Sequence, residues 1–127
     1  LTSAGFVEVK RRRIDTPADL ARGTFCPEAL VAGAKCDVPV ALRNGRLLLI
    51  ECKVSSSAVN SVKRLNRETG GKADLWRAAF GAQAHTAAVL AGVFRLGNLM
   101  QAQDDQRIYL YWERDLTPLA EFVSTAL

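Results

Sequence analysis

Three residues whose types could carry out chemistry lie close together in the sequence: Asp37, and then Glu51 and Lys53. Side chains two residues apart on a β-strand point to the same face, so a strand here makes Glu51 and Lys53 neighbours. Two carboxylates at close range repel each other unless a cation joins them. Carboxylate oxygens, with the Cys52 backbone carbonyl, suit Mg²⁺, which keeps several waters and shares itself with phosphate. The set therefore favours phosphodiester hydrolysis, with Lys53 orienting or deprotonating the nucleophile.

Whether Asp37 reaches the other two depends on the turn at Arg43-Asn44-Gly45, a strong hairpin signal between two apolar stretches. A two-residue loop places Asp37 opposite Cys52, on the wrong face of the sheet. A three-residue loop, with Gly45 in the left-handed bulge position, places Asp37 opposite Glu51. We expect the three-residue loop, because it gives the glycine a conformation that suits it.

A Glu-x-Lys triplet by itself is common and is usually a surface ion pair of little energetic weight. Three neighbouring features favour a site here. An aspartate lies upstream across the hairpin, the apolar run Leu47–Ile50 leads into the triplet, and a basic helix is expected directly after it.

The elements expected around this site mix strands and helices. The apolar run Leu47–Ile50 predicts a central strand covered on both faces, and Gly70-Gly71 predicts a break between two helices. The fold class is therefore α/β, more specifically mixed α+β, with a central mixed sheet flanked by helices. Strands are expected over 6–9, 34–42, 46–53, 87–94 and 107–112, and helices from Thr16 and over 58–68, 73–80, 96–103 and 117–126.

Size and charge limit the classes of function. With 127 residues the chain suits one domain, 1–127, and because it begins at Leu1 we interpret it as part of a longer polypeptide. The apolar runs are too short for a membrane span, which predicts a cytoplasmic protein without membrane association. Residues 1–77 carry 14 Lys and Arg against 8 Asp and Glu, a balance of +6, whereas the whole chain has a net charge of +4. Nucleic acid is the expected anionic partner.

Other catalytic chemistries are disfavoured. The three cysteines, Cys26, Cys36 and Cys52, lack the spacing of a zinc site, and His85 is the single histidine. We expect buried free thiols, and His85 as a polar residue at the start of a strand. A nucleophilic triad would depend on His85 alone, and the sequence has no GxSxG turn.

The helix expected over 58–68 is apolar on one side and basic on the other. Phosphate contacts are expected from this basic side, extended by one lysine beyond it: Asn60, Lys63, Arg64, Arg67 and Lys72. Glu8 and Glu28 are candidate extra carboxylates for a second metal, although surface positions are the simpler interpretation. The aromatic residues Trp76, Trp112, Tyr109 and Tyr111 are assigned to packing.

The sequence resembles a known group of enzymes at these positions. Asp37-Val38-Pro39, a hairpin, and then Leu-Leu-Ile-Glu51-Cys52-Lys53 resemble the PD-(D/E)xK nuclease superfamily, the fold of many type II restriction endonucleases. The stretches 35–40 (KCDVPV), 50–55 (IECKVS) and 60–65 (NSVKRL) are similar to XamI-type restriction endonucleases. Similarity continues through Trp76, Phe80-Gly81, Gly92-Val93-Phe94 and Trp112-Glu113.

This resemblance implies a restriction-endonuclease-like core and Mg²⁺-dependent cleavage of double-stranded DNA, with Mn²⁺ as a substitute. Asp37 and Glu51 would be metal ligands and Lys53 the catalytic lysine. The sequence departs from the family pattern in that the proline follows the aspartate, which is tolerated because only the carboxylate is required. Complete enzymes of this kind are also longer, so a specificity-determining or dimerising part is expected elsewhere.

Two other functions remain open at this point. One is a repair or recombination nuclease of the same fold that recognises DNA structure. The other is a DNA-binding module without catalysis, in which the acidic residues balance charge. Symmetric cutting of both strands would suggest a homodimer.

Overall fold

The computed structural model describes residues 1–57 and 62–126. Its centre is a six-stranded mixed sheet with the strand order β1-β2-β5-β6-β7-β8, and β3 pairs with β4 in a separate hairpin. The predicted class, mixed α+β with a central mixed sheet flanked by helices, is confirmed. The strands are β1 (Val7–Glu8), β2 (Thr24–Phe25), β3 (Ala29–Val31), β4 (Ala34–Cys36), β5 (Val38–Ala41), β6 (Leu47–Ser55), β7 (Ala84–Gly92) and β8 (Ile108–Trp112).

Helical elements follow β6 and β7 and close the chain. A π-helical segment, Val62–Thr69, continues directly into the α-helix α1, Gly70–Phe80. The second helix, α2 (Leu96–Met100), continues into a π-helical turn, Gln101–Asp105. The last helix is α3 (Thr117–Thr125). Short 3₁₀ turns occupy Thr2–Ala4, Pro17–Asp19 and Gly81–Gln83, so the helix expected from Thr16 is reduced to a single turn.

Strand β6 is central and buried on both faces along its first half, as predicted. Leu47, Leu48, Leu49 and Ile50 are all buried. The strand pairs antiparallel with β5 and parallel with β7. Its odd-numbered apolar residues pack on the side of α1 and its even-numbered ones on the side of α3. Burial on both faces fixes the register of β6, because a slip of one residue would exchange the two faces.

The hairpin between β5 and β6 has the predicted three-residue loop. Val38 pairs with Ile50, and Ala41 pairs with Leu47. Gly45 has φ of 87°, the left-handed conformation expected of it, and the Leu42 N–H donates to the Arg46 carbonyl at 2.8 Å. The same register, extended by one residue, places Asp37 opposite Glu51.

The single strand expected over 34–42 is wrong, because the chain leaves the ladder at Asp37. The segment before it, β4, pairs with β3, whereas the segment after it, β5, pairs with β6. The Asp37 N–H donates to the Glu51 side chain at 3.0 Å. A side-chain acceptor therefore replaces a strand partner at the point where the two sheets separate.

The break predicted at Gly70-Gly71 is also wrong, since helical structure continues from Val62 to Phe80. Gly70 is buried, and a Cβ at this position would collide with the amide of the Gln106 side chain. The glycine thus permits a close approach between two segments, which outweighs its low helix propensity.

Several burial assignments need correction. Tyr109 is 42% exposed, although its ring contacts those of Phe122 and His85. Trp76 and Tyr111 are buried as predicted. All three cysteines are free, as expected, but Cys52 is exposed while the other two are buried. Within the described ranges, the helices are too short or too polar to cross a bilayer.

Candidate active site

The first half of the site lies where β5 begins opposite β6. Asp37 and Glu51 each accept a backbone hydrogen bond from the other's strand. The Asp37 N–H donates to Glu51 Oε2 at 3.0 Å, and the Cys52 N–H donates to Asp37 Oδ2 at 2.8 Å. These reciprocal bonds hold the two carboxylates side by side, as the predicted register requires.

Glu51 is completely buried, and a lysine neutralises its charge. The Lys72 ammonium lies 2.6 Å from Glu51 Oε1 and also donates to the Lys35 carbonyl at 2.6 Å. A buried carboxylate without a partner would be strongly unfavourable, so this contact accounts for how β6 carries an acid in its interior-facing row. We call the Lys72–Glu51 contact the inner pair.

A second ion pair lies two residues further along β6. The Lys53 ammonium donates to Glu68 Oε2 at 3.0 Å, with side-chain exposures of 13% for Lys53 and 36% for Glu68. The hydrogen bond from Lys53, followed by the charges of Lys53, Arg64 and Lys63, lowers the pKa of Glu68 from its ordinary value of 4.5. We call the Lys53–Glu68 contact the outer pair.

Both pairs join β6 to the helical segment over 62–80. In the inner pair the acid lies on the strand and the base on the helix, and in the outer pair this arrangement is reversed. Glu51 and Lys53 share one strand face, and Glu68 and Lys72 are four residues apart on the helical segment. Glu51 contacts Lys72, and Lys53 contacts Glu68, so the strand and the helical segment run in opposite directions where they meet. Sequence reasoning missed Glu68 altogether. The sequence pattern that could have revealed Glu68 is Glu-x-x-x-Lys on a predicted helix, directly after a strand that carries Glu-x-Lys.

Other candidate nucleophiles are unsuited to chemistry here. Partial desolvation of the sulfur, followed by the charges of Asp37 and Glu51, raises the pKa of the Cys52 thiol, so it stays protonated at neutral pH. His85 lies near the start of β7, where burial and the Arg46 charge lower its pKa. It pairs with Leu48, at the opposite end of β6 from Lys53.

The donors present fit a hard divalent cation. Glu51 already holds a cation, the Lys72 ammonium, on a fully buried oxygen, and the neighbouring Asp37 adds a second carboxylate. In the described part of the chain, no group of three or more His, Cys, Asp or Glu side chains is placed to hold a metal. Further ligands would therefore have to be backbone carbonyl, water and phosphate oxygens, which is typical of Mg²⁺.

The expected extra carboxylates lie elsewhere. Glu8 is exposed on β1, at the edge of the sheet and three strands from β6 in the strand order. Glu28 faces Lys35, with 3.5 Å between Glu28 Oε1 and Lys35 Nζ. Neither joins the pair formed by Asp37 and Glu51, so the suggestion of a second metal held by these residues is not supported.

The predicted phosphate-binding residues divide into three groups. Lys63, Arg64 and Arg67 are exposed on the π-helical segment, next to the outer pair. Lys72 instead contacts Glu51, so the structure separates it from this exposed row. Asn60 lies outside the described residues.

Comparison with known proteins places the chain in a family. A sequence model described as XamI restriction endonuclease matches residues 1–112. The chain belongs to the XamI restriction endonuclease family. Membership confirms the resemblance drawn from the motifs around Asp37, Glu51 and Lys53, and the match extends through the whole of the central sheet.

One family member is the type II restriction enzyme XamI from Xanthomonas campestris pv. amaranthicola. It is 42% identical over 85 residues, which cover 64% of this chain and 30% of that enzyme. The chain thus spans less than a third of the length of this relative.

The fold has a counterpart among solved structures. Protein VC1899 from Vibrio cholerae, known from a crystal structure, superposes with a TM-score of 0.56. The identity is 22%, and the match covers 73% of this chain and 24% of that one. This likeness establishes a shared fold and nothing further.

Proposed function

We propose that residues 1–127 form a nuclease domain of a longer protein that hydrolyses phosphodiester bonds of double-stranded DNA with Mg²⁺, as a type II restriction endonuclease. One observation carries the proposal: Asp37 and Glu51 lie side by side where β5 meets β6, with Lys53 on the same face. Membership of the XamI restriction endonuclease family supports the substrate class.

The proposed metal ligands are Asp37, Glu51 and the backbone carbonyl of Cys52, and Mn²⁺ is expected to replace Mg²⁺. A bound divalent cation would supply a water of lowered pKa and would neutralise charge on the phosphoryl oxygens. The protein contributes the fixed carboxylates. Each carboxylate accepts a hydrogen bond from a backbone N–H group, and this contact preorganises the site.

Lys53 is proposed to contact the scissile phosphate and to orient the nucleophile as an ammonium, or to deprotonate the nucleophile once the lysine has itself lost a proton. Its ammonium is largely shielded from solvent and is held by Glu68, so it is positioned before the substrate arrives. Glu68 is a positioning residue in this scheme, because it acts through Lys53 rather than on the reacting atoms.

DNA is proposed to lie along the exposed basic row of the π-helical segment, Lys63, Arg64 and Arg67. These side chains border the outer pair, so phosphates held there would lead the backbone towards Lys53. Asn60 stays a sequence prediction. Symmetric cutting of both strands would suggest a homodimer, and the three free thiols suit a reducing compartment such as the cytoplasm.

The test is cleavage of plasmid DNA by the full-length protein with Mg²⁺, with Mn²⁺ and with a chelator. We expect cleavage only with metal, and a loss of about 10²-fold or more in Lys53→Ala. The matched control is Lys35→Ala, which removes an exposed lysine that contacts Glu28. This control should cut like the wild type.

Other results would favour the alternatives. Binding of DNA without cleavage in any metal would support a DNA-binding module. Preferential cutting of branched or damaged DNA, with no preferred sequence in linear duplexes, would support a repair or recombination nuclease. Full activity of Lys53→Ala would remove this lysine from the mechanism.

A further inference from the structure

We propose that Lys72 is a resident counter-cation of the metal site. Its ammonium neutralises Glu51 while no metal is bound, and it leaves that carboxylate when a divalent cation binds. The inference rests on the proposed function, because it assumes that Asp37 and Glu51 hold a metal.

The first argument is the occupancy of Glu51. One oxygen, Oε2, accepts the Asp37 N–H, and the other, Oε1, accepts the Lys72 ammonium at 2.6 Å. Glu51 is fully buried, so its charge has to be balanced within the protein. A metal bound to the same carboxylate would compete directly with Lys72 for Oε1.

The second argument is repulsion between the two cations. An ammonium within contact distance of Oε1 would lie only a few ångströms from a metal on the same oxygen. Lys72 has two anchors, Glu51 and the Lys35 carbonyl, and its side chain keeps 27% of its exposure. A flexible lysine stem with a path to solvent can withdraw without a change in the backbone.

The displaced ammonium would remain beside the site. It would then be free to contact a phosphate oxygen, so metal binding would create a DNA contact that the metal-free protein lacks. Lys72 would thereby couple the two binding events, and its proposed phosphate contact would form only in the metal-bound protein.

The test measures Mn²⁺ binding to the full-length protein by calorimetry without DNA. Lys72→Met should bind Mn²⁺ about tenfold more tightly than the wild type, because the competing charge is gone. In a chelator the variant should have a lower Tm than the wild type, since Glu51 loses its counter-charge. Saturating Mn²⁺ should narrow that gap.

The control is Lys35→Met, which makes the same change in net charge at an exposed side chain and keeps the Lys35 carbonyl. It should leave Mn²⁺ affinity unchanged. If methionine prevents folding, Lys72→Gln removes the charge while keeping a hydrogen-bond donor, and the same tightening is expected.

Two results would overturn the inference while leaving the proposed function intact. In the first, the wild type binds Mn²⁺ and cuts DNA, and Lys72→Met binds Mn²⁺ with the same affinity. Lys72 would then not compete with the metal for Glu51. Weaker binding in the variant would show that Lys72 supports the metal instead. A wild type that neither binds Mn²⁺ nor cuts DNA would refute both proposals.

Discussion

The inner and outer pairs join the same strand to the same helical segment, yet they differ in burial. In the inner pair the acid, Glu51, is completely buried and shares its site with Asp37. In the outer pair the acid, Glu68, keeps 36% of its side-chain exposure and lies among basic neighbours. Similar Lys–Glu contacts therefore occupy very different electrostatic surroundings.

This difference in burial suits the two acids to different roles, Glu51 to binding a cation and Glu68 to positioning Lys53. A buried carboxylate needs a cation, so Glu51 is suited to binding one. Solvent screens the contact between a partly exposed carboxylate and its partner, so the contact adds little to stability, and Glu68 is suited to orienting Lys53. Four predictions test this division.

The largest expected effect is on cleavage. Glu51→Gln should lower the single-turnover cleavage rate about 10³-fold or more, because it removes a proposed metal ligand. Glu68→Gln should lower that rate about tenfold or less, because Lys53 keeps its place on β6. Rates measured on a plasmid with Mg²⁺ test both variants. Losses of similar size would contradict the division of roles.

The next effect concerns the basic row beside the outer pair. Replacing Lys63 and Arg64 by alanine should weaken DNA binding for all sequences and reduce the slope of log K against log salt by about 2. Fluorescence anisotropy without Mg²⁺ measures this slope. The control replaces Arg12 and Arg13, an exposed pair of equal charge. An equal change in the control would indicate diffuse attraction rather than an interface at this row.

A smaller effect tests the segment that carries Glu68 and Lys72. Gly70→Ala should lower the free energy of unfolding by about 1–3 kcal/mol, because its Cβ would displace Gln106 from its hydrogen bonds with Asn66. Gly71→Ala, where a Cβ meets nothing within 4 Å, should be neutral or stabilise by up to about 1 kcal/mol. Urea unfolding measures both. Equal stabilities would mean that Gln106 can move without cost.

The smallest effect is the pH dependence of the outer pair. Because Lys53 lowers the pKa of Glu68 below 4.5, the pair stabilises the fold above that pH, and the contribution is lost as pH falls through the lowered value. Glu68→Gln should therefore be slightly less stable than the wild type near pH 7, by under about 1 kcal/mol. The gap should close as the pH falls through the lowered pKa of Glu68. A gap that persists in acid would point to packing rather than charge.

Local rules were sufficient for much of the fold. The apolar run Leu47–Ile50 specified a central strand, and Gly45 specified the loop that sets the register of the hairpin. Rules of this kind failed at Asp37 and at Gly70. In both places a partner distant in sequence, Glu51 or Gln106, changed the local outcome.

The sequence by itself determined which groups could do chemistry and which strand faces they share, because strand alternation and turn geometry are local. It also carried the family resemblance around Glu51 and Lys53. Only the tertiary structure decided the counter-charges: Lys72 on Glu51 and Glu68 on Lys53. Those contacts depend on how a helix packs across a strand, and packing of this kind is set by the whole core rather than by neighbouring residues.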